Sequence, residues 1–509
     1  MREIRTALVS PRGQCSRPSS SPTALRAVSA AVALALLTAG CTTVGPDYKA
    51  PAASVDAAFI ASGATLVNSA PTAADIATFW RGFNDAELTA LVERAIAANG
   101  DIRIAQARLQ ESQATRTEID AATSPSIGVE GGASRSITPQ SQAPSLSRSE
   151  RTNNSYTGSF VANWELDIFG RAQRAKESAS ALVSASEAGV AAAQTSVVAE
   201  VARNYLEVRG LQLRYAVTQA SLANQRESLD IARARVDAGR GTQLDLERSL
   251  TLTATTEAAL PSLQAAIDLG IYRLATLSAQ APSAVRARLI TPAPLPNLPL
   301  TDLAALPVGT PQQWIARRPD VARAERQLAA ATAEIGVTTG ELYPSISVDG
   351  LLGFASTKLS NFGSSESARY SIGAGISWSL LDFGRIRSRI KATEARSLQA
   401  LATYEQTLST ALEETEGAFA QFSRNAQRRE SLGRAERSAG EAARLARLRY
   451  EAGVTDFLAV LDADRELLAA RDSLAQADTA NATSLVAVYR TLGGGWAAPA
   501  TTEVAGSAR

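Results

Sequence analysis

Two periodicities divide the chain. Across 171–238, Val201, Val208, Tyr215, Leu222, Leu229 and Val236 fall at a strict spacing of seven, with no proline and only Gly189 and Gly210 as glycines. That spacing is the seam of a left-handed coiled coil, so the segment predicts one helix of about 68 residues, a rod on the order of 100 Å. A second run, 385–452, is alike in composition and holds Leu401, Leu408 and Phe422 in one register. The rods stop at Gly239-Arg240-Gly241-Thr242 and at Gly453-Val454-Thr455-Asp456. Glycine suits the left-handed position after a helix, and Thr or Asp suits the cap of the next, so helices over 242–280 and 456–492 are expected to run back.

Elsewhere the period is two. In 156–168, Tyr156, Phe160, Ala162, Trp164, Leu166 and Ile168 share one face, against Thr157, Ser159, Asn163, Glu165 and Asp167. In 370–380, Tyr370, Ile372, Ala374, Ile376, Trp378 and Leu380 oppose Ser371, Gly373, Gly375, Ser377 and Ser379. These read as strands, with partners at 125–133 and 344–354 and Ser-rich loops at 134–155 and 355–369. A soluble, half-buried sheet alternates in the same way. Lengths close to the 9–11 residues of a membrane-spanning strand, and aromatic residues near the ends, favour a membrane barrel. Four strands cannot close one, and an open edge in lipid leaves backbone groups unpaired at several kcal/mol each. Several chains must contribute, a trimer giving twelve strands or a dimer giving eight.

The chain is also written twice. Leu109 and Leu328, Pro125 and Pro344, Ile127 and Ile346, and Gly131 and Gly350 all lie 219 apart. Trp164 and Trp378, Arg235 and Arg449, and Gly239 and Gly453 lie 214 apart. So long a period indicates a duplicated half rather than a solenoid unit. The expected division is 81–290 and 311–495, each holding a helix, two strands, a long helix and a returning helix. The Pro-rich 291–310 connects them, and 496–509 is a tail.

Residues 1–40 carry five arginines against Glu3, then an apolar run from Ala27 to Leu37, too short to span a bilayer and suited to a signal peptide. The run leads through Leu37-Thr38-Ala39-Gly40 into Cys41, which resembles a bacterial lipobox although Thr38 stands where leucine is usual. Cys41 is therefore the expected lipidation site and 41–80 an extended anchor segment. Thr42 in place of Asp resembles lipoproteins sorted to the outer membrane.

Composition narrows the chemistry. With no histidine and only Cys15 and Cys41, the chain lacks the means for Ser-His-Asp catalysis, zincin sites or an iron–sulfur cage. Lys and Arg number 51 against 50 Asp and Glu, which gives no pull toward nucleic acid. No catalytic, metal or cofactor site is expected.

Trp314-Ile315-Ala316-Arg317-Arg318-Pro319-Asp320-Val321 resembles the R-R-P-D-V signature of TolC-like outer-membrane efflux channels, in their NodT-type (OprM-like) lipoprotein group. Val44-Gly45-Pro46-Asp47-Tyr48 is similar to the mature start of these proteins, as are the two versions of L-D-x-F-G-R and Tyr450-Glu451-Ala452-Gly453-Val454-Thr455-Asp456. The resemblance implies an α+β membrane protein, a homotrimer with a twelve-stranded barrel continued by a long periplasmic coiled-coil helical barrel. It implies a passive, non-enzymatic duct for small molecules, docked onto a periplasmic adaptor and an inner-membrane pump. A conduit for protein secretion and a periplasmic coiled-coil protein are the alternatives. The resemblance makes Gly239, Arg240, Gly241, Thr242, Gly453, Val454, Thr455 and Asp456 adaptor-contact candidates. It makes Glu441, Arg444, Arg447 and Glu451, one or two turns above the second tip, candidates for a charged gate. Arg318, Pro319 and Asp320 are expected to be structural, starting a helix with Asp at its positive end.

Overall fold

The computed structural model describes residues 43–52, 59–60, 77–299, 311–315 and 317–496. Cys41, the signal segment and the tail beyond residue 496 lie outside the described residues. After a short 3-10 turn at Phe79–Phe83 come α1 (Ala86–Ala98), α2 (Gly100–Ala122), β1 (Ser126–Ile137), β2 (Thr152–Leu166), α3 (Arg171–Asp237), α4 (Gln243–Leu277) and α5 (Pro282–Leu289). The second half supplies α6 (Pro311–Ile315), α7 (Pro319–Gly340), β3 (Ser345–Ser356), β4 (Ala368–Ser377), α8 (Phe383–Glu451) and α9 (Phe457–Thr491).

The rods α3 and α8 run 67 and 69 residues, each about 100 Å long. Of the expected seam in α3, Val201 and Val208 are wholly enclosed, Leu222 and Leu229 are buried, and Tyr215 and Val236 are half-buried. Gly210, one of two glycines in the rod, has a steric reason. A Cβ there would lie 2.0 Å from the Thr479 hydroxyl, so α3 and α9 cross where only glycine fits. The main core lies at this level. It gathers Tyr205 and Leu206 from α3, Ile271 and Leu274 from α4, Phe419 and Phe422 from α8, and Leu485 from α9.

The four strands form one antiparallel sheet in the order β1-β2-β3-β4. Ser126 faces Asn163 in the first hairpin, and Ser345 faces Ser377 in the second. These are the same pair displaced by the duplication, 219 on one strand and 214 on the other, so the repeat holds at single-residue register.

Strand ends depart from the sequence expectation. β1 and β2 extend to Ile137 and back to Thr152, into the stretch expected to be loop. Backbone pairing continues past the apolar band, because a strand outside hydrocarbon needs no apolar side chain. β4 stops at Ser377, so Trp378 and Leu380 lie past it, where the Leu380 N–H turns back to the Trp378 carbonyl. No described helix is long and apolar enough to cross a membrane.

Candidate functional site

The sheet has two chemically distinct faces. Pairing aligns Val129, Phe160, Leu352 and Tyr370 in one row, and Trp164, Val348 and Ala374 in another. This face is uncovered in the single chain: Ile127 is 75% exposed, Tyr370 83% and Ile372 81%. A contiguous patch this apolar and this open needs lipid or protein against it. The opposite face aligns Ser126, Asn163, Asp349 and Gly373, then Glu130, Ser159, Gly353 and Arg369. There the Asn163 amide donates to Asp349 at 2.7 Å and the Arg369 guanidinium to the Ser159 hydroxyl at 3.0 Å. Apolar out and polar in is the pattern of a membrane barrel with an aqueous lumen. At the lower rim the Trp164 and Trp378 indoles donate to the carbonyls of Thr123 and Leu342, the same bond in each half.

The hairpin tips are likewise one motif twice. Gly239 at φ 70 and Gly453 at φ 72 occupy the left-handed position. Arg240 N–H reaches back to the Arg235 carbonyl and Val454 N–H to that of Arg449, 2.8 and 2.9 Å away, closing a Schellman cap in each. Thr242 then caps α4 through Asp245 N–H at 3.1 Å, and Asp456 caps α9 through Ala459 N–H at 3.2 Å. Arg240, Gly241 and Val454 stand exposed at the points of the hairpins, with Thr455 half-buried. Just above them the Arg235 guanidinium lies over the Tyr450 ring, 4.0 Å from its centre. Ala232, Leu252, Phe457, Val460 and Leu461 pack around Tyr450 in a small second core.

The four gate candidates separate. Arg444 pairs along its own helix with Glu441 at 2.6 Å, and that hydrogen bond holds the Glu441 carboxyl below its ordinary pKa. Arg447 reaches instead to Asp464 on α9, at 3.5 Å. Glu451 closes α8 as its last residue. Asp464 was not legible in the sequence, where it is one more charge on a helix. It is only 8% exposed, its Oδ2 has no partner, and burial pushes its pKa up against the opposing pull of Arg447 and Ser228. Ionised Asp464 therefore costs stability, which is regained as pH falls through the raised value.

The R-R-P-D motif is a staple. Pro319 opens α7, and the Arg318 side chain, 7% exposed, pairs with Asp320, with Glu414 at 3.0 Å and with the carbonyls of Ala411 and Thr491. It also lies over the Trp314 ring at 5.3 Å. Burial opposes ionisation of Asp320, but hydrogen bonding and attraction from Arg318 prevail and hold its pKa low.

Arg174, absent from the sequence expectations, clasps the N-terminal segment. Only 4% exposed, it donates to the carbonyls of Val44 and Gly45 and pairs with Asp47 at 2.6 Å. The Val44 N–H bonds the Phe169 carbonyl at 3.1 Å, and the Tyr48 hydroxyl meets Glu325 on α7. Among the described residues no cluster of His, Cys, Asp or Glu is placed to hold a metal ion.

A sheet apolar on one face and polar on the other, standing on two pairs of long helices, defines a channel-forming membrane protein with an extended helical body. The chain belongs to the outer membrane efflux protein family, which it matches over residues 91–279 and 310–494. It is 31% identical to outer membrane protein OprJ of Pseudomonas aeruginosa, over 91% of this chain and 95% of that one. It is 30% identical to nodulation protein T of Rhizobium leguminosarum bv. trifolii, over 87% and 92%. Among solved structures, the outer-membrane channel OprN superposes with a TM-score of 0.83 at 38% identity, covering 90% of this chain and all of that one. The protein is thus an outer-membrane efflux channel of the TolC-like, NodT-type group, with a large periplasmic helical portion.

Proposed function

We propose that three copies of this chain form a passive duct through which small molecules, delivered by an inner-membrane pump and a periplasmic adaptor, leave the cell. The carrying observation is the sheet: four strands, a bare apolar face, a polar face, and free edges on β1 and β4. Three copies give twelve strands and leave no edge in lipid. Relatives named as a toluene efflux pump protein of Pseudomonas putida and a cation efflux protein of Escherichia coli, each 28% identical, support small cargo of varied chemistry. The tips at Gly239–Thr242 and Gly453–Asp456 dock the adaptor. Glu441, Arg444, Arg447 and Glu451 form the resting constriction, and adaptor binding opens it by preferring the open state.

Deleting the chain is expected to raise cellular accumulation of a pump substrate, and re-expression to reverse this only where adaptor and pump are present. Restoration without them would sink the tripartite reading. Arg444→Ser and Arg447→Ser are expected to raise single-channel conductance in planar bilayers and to sensitise cells to vancomycin. Unchanged conductance across substitutions at all four charges would place the constriction elsewhere.

Lipid on Cys41 anchors the mature chain. Cys41→Ser is expected to abolish labelling by a radioactive fatty acid while trimers persist, since paired strands already hold the barrel in the membrane. Labelling that survives the substitution would refute this site.

A further inference from the structure

The strands leave the helices at Ser126 and Ser345 and return to them at Leu166 and Ser377. In a channel whose helices are periplasmic, the two hairpin ends therefore face the exterior. On the lipid-facing side the rows run outward from the Trp164 rim. Val129, Phe160, Leu352 and Tyr370 form one row, and Gly131, Gly158, Phe354 and Ala368 the next but one position out. Ala133, Tyr156 and Ser356 follow. Then the chemistry changes, and Arg135 faces Asn154.

Asn154 stands ten residues outward of Trp164 on β2. That is about 34 Å along a strand rising ~3.4 Å per residue. At a tilt of about 40° it is ~26 Å of height, against ~25 Å for the apolar band of an outer-membrane barrel. Arg135 thus emerges where hydrocarbon ends in the outer leaflet.

The loop after β3 reaches the same level along the outer wall. A Cβ on Gly158 would lie 2.9 Å from the Phe362 ring, whose centre is 6.0 Å from that of Phe354. Gly158 and Phe354 both belong to the lipid-facing rows, so the glycine seats this ring against the lipid side of the sheet. Lys358, earlier in the same loop, is held at the end of β3, where its N–H donates to the Ser356 hydroxyl at 3.2 Å. Lys358 and Arg135 are both exposed, and among the described residues neither side chain has an ion pair or hydrogen bond. Their neighbours are engaged. Arg151 donates to the carbonyls of Thr138 and Leu146, Arg369 to Ser159 in the lumen, and Glu150 accepts from the Ser147 N–H. Arg148 stands in the first loop, beyond β1, and Glu366 in a 3-10 turn before β4. The hairpin ends, 135–152 and 356–368, hold Arg135, Arg148, Arg151 and Lys358 against Glu150 and Glu366, an excess of positive charge.

We propose that Arg135, Asn154 and Lys358 form a seat for the phosphate of the glycolipid that makes up the outer leaflet, with its acyl chains laid against Tyr156, Phe354 and Phe362. The inference rests on the barrel proposed above, which turns this face to lipid. A cation on the lipid face is tolerated only near an interface, and a phosphate is the anion met at that level. Arginine matches it through two N–H groups, and the Asn154 amide adds a neutral donor. Two strand spacings of about 4.8 Å separate β1 from β3, so Arg135 and Lys358 can close on one phosphate from either side of Asn154. A phospholipid of the inner leaflet lies at the opposite rim. A second copy of the chain is a poorer occupant, because Asn154 and the ring of Phe362 lie over the central strands and not at an edge.

Detergent-purified trimers are titrated with lipid A bearing two phosphates, and bound lipid is counted per trimer by native mass spectrometry. Arg135→Gln with Lys358→Gln is expected to weaken binding at least tenfold, and Arg135→Lys with Lys358→Arg to keep most of it. Lipid A stripped of phosphate is expected to bind the unsubstituted protein as weakly as the intact lipid binds the double glutamine variant. Arg148→Gln is expected to change binding less than twofold. Undiminished binding by the double variant, or an equal loss from Arg148→Gln, overturns the seat. Phosphatidylglycerol bound as tightly as lipid A overturns the glycolipid as occupant. Should the double variant form no trimers, Arg135→Gln and Lys358→Gln singly carry the test, each expected to lose several-fold. A seat disproved in intact trimers leaves the duct standing. Absence of trimers from the unsubstituted protein sinks the duct, and this inference with it.

Discussion

Replacing Arg318 with alanine is expected to cost about 3 kcal/mol, which makes it the most damaging single substitution outside the rods' core. The side chain joins the start of α7 to the middle of α8 and the end of α9 through Asp320, Glu414 and the carbonyls of Ala411 and Thr491. Truncation removes one donor from each of two carboxylates and two carbonyls, leaving Thr491 with the Trp314 indole at 2.7 Å, Asp320 with the Val321 N–H at 3.0 Å and Glu414 with Arg490 at 3.6 Å. Because both carboxylates keep some access to water, the figure stands at the lower end for a broken buried pair. The measurement is the temperature at which detergent-purified trimers dissociate, read on gels of samples heated in steps. Arg318→Lys keeps the charge but cannot span four acceptors, and is expected to recover only a minor part of the loss. A dissociation temperature unchanged in the alanine variant would make the motif a contact site for another protein.

Gly453→Val is expected to reduce efflux to the level of a strain lacking the chain, with normal amounts of trimer. The left-handed conformation costs an L-residue roughly 1–2 kcal/mol, and a β-branched side chain more. A Cβ at Gly453 or Gly239 meets nothing within 4 Å, so the effect is conformational and not a clash within the chain. The hairpin point must change shape, and the Schellman bond from Val454 N–H to the Arg449 carbonyl is lost with it. Gly239→Val tests the equivalent point in the first half. Wild-type efflux in both variants would move the adaptor contact off the tips.

Much of the architecture was legible because it repeats at periods that a sequence displays. Alternation assigned the side chains of 156–166 and 370–377 to their faces, though not those expected beyond the strand ends, and Schellman glycines marked both tips. Strand ends were not legible, since Ser-rich backbone pairs as readily as it loops once outside lipid. Arg174 and Asp464 were hidden for another reason. Each is one charge among many on a long polar helix, and only the chain packed against it, Val44–Asp47 or Ser228, sets it apart. Arg318 could be placed because proline and aspartate beside it fix where a helix must begin. The Arg444–Glu441 pair follows from a spacing of three on one helix, whereas the partner of Arg447, Asp464 on α9, depended on helix rotation, which seven-residue spacing describes only loosely.

The Arg174 clasp also sets a depth gauge. Val44 is bonded to Phe169 at the elbow where β2 gives way to α3. Cys41 stands three positions before it in the sequence, so the two can lie at most roughly 10 Å apart. The lipid proposed on Cys41 would, on so short a tether, enter only the leaflet beside that elbow and resist both sinking and withdrawal of the barrel. A pull by the proposed pump and adaptor on the far ends of rods about 100 Å long would then load the tether as well as the girdle of strands. On that proposal the channel's height in the bilayer would be bounded by a covalent length as well as by the apolar face of its strands.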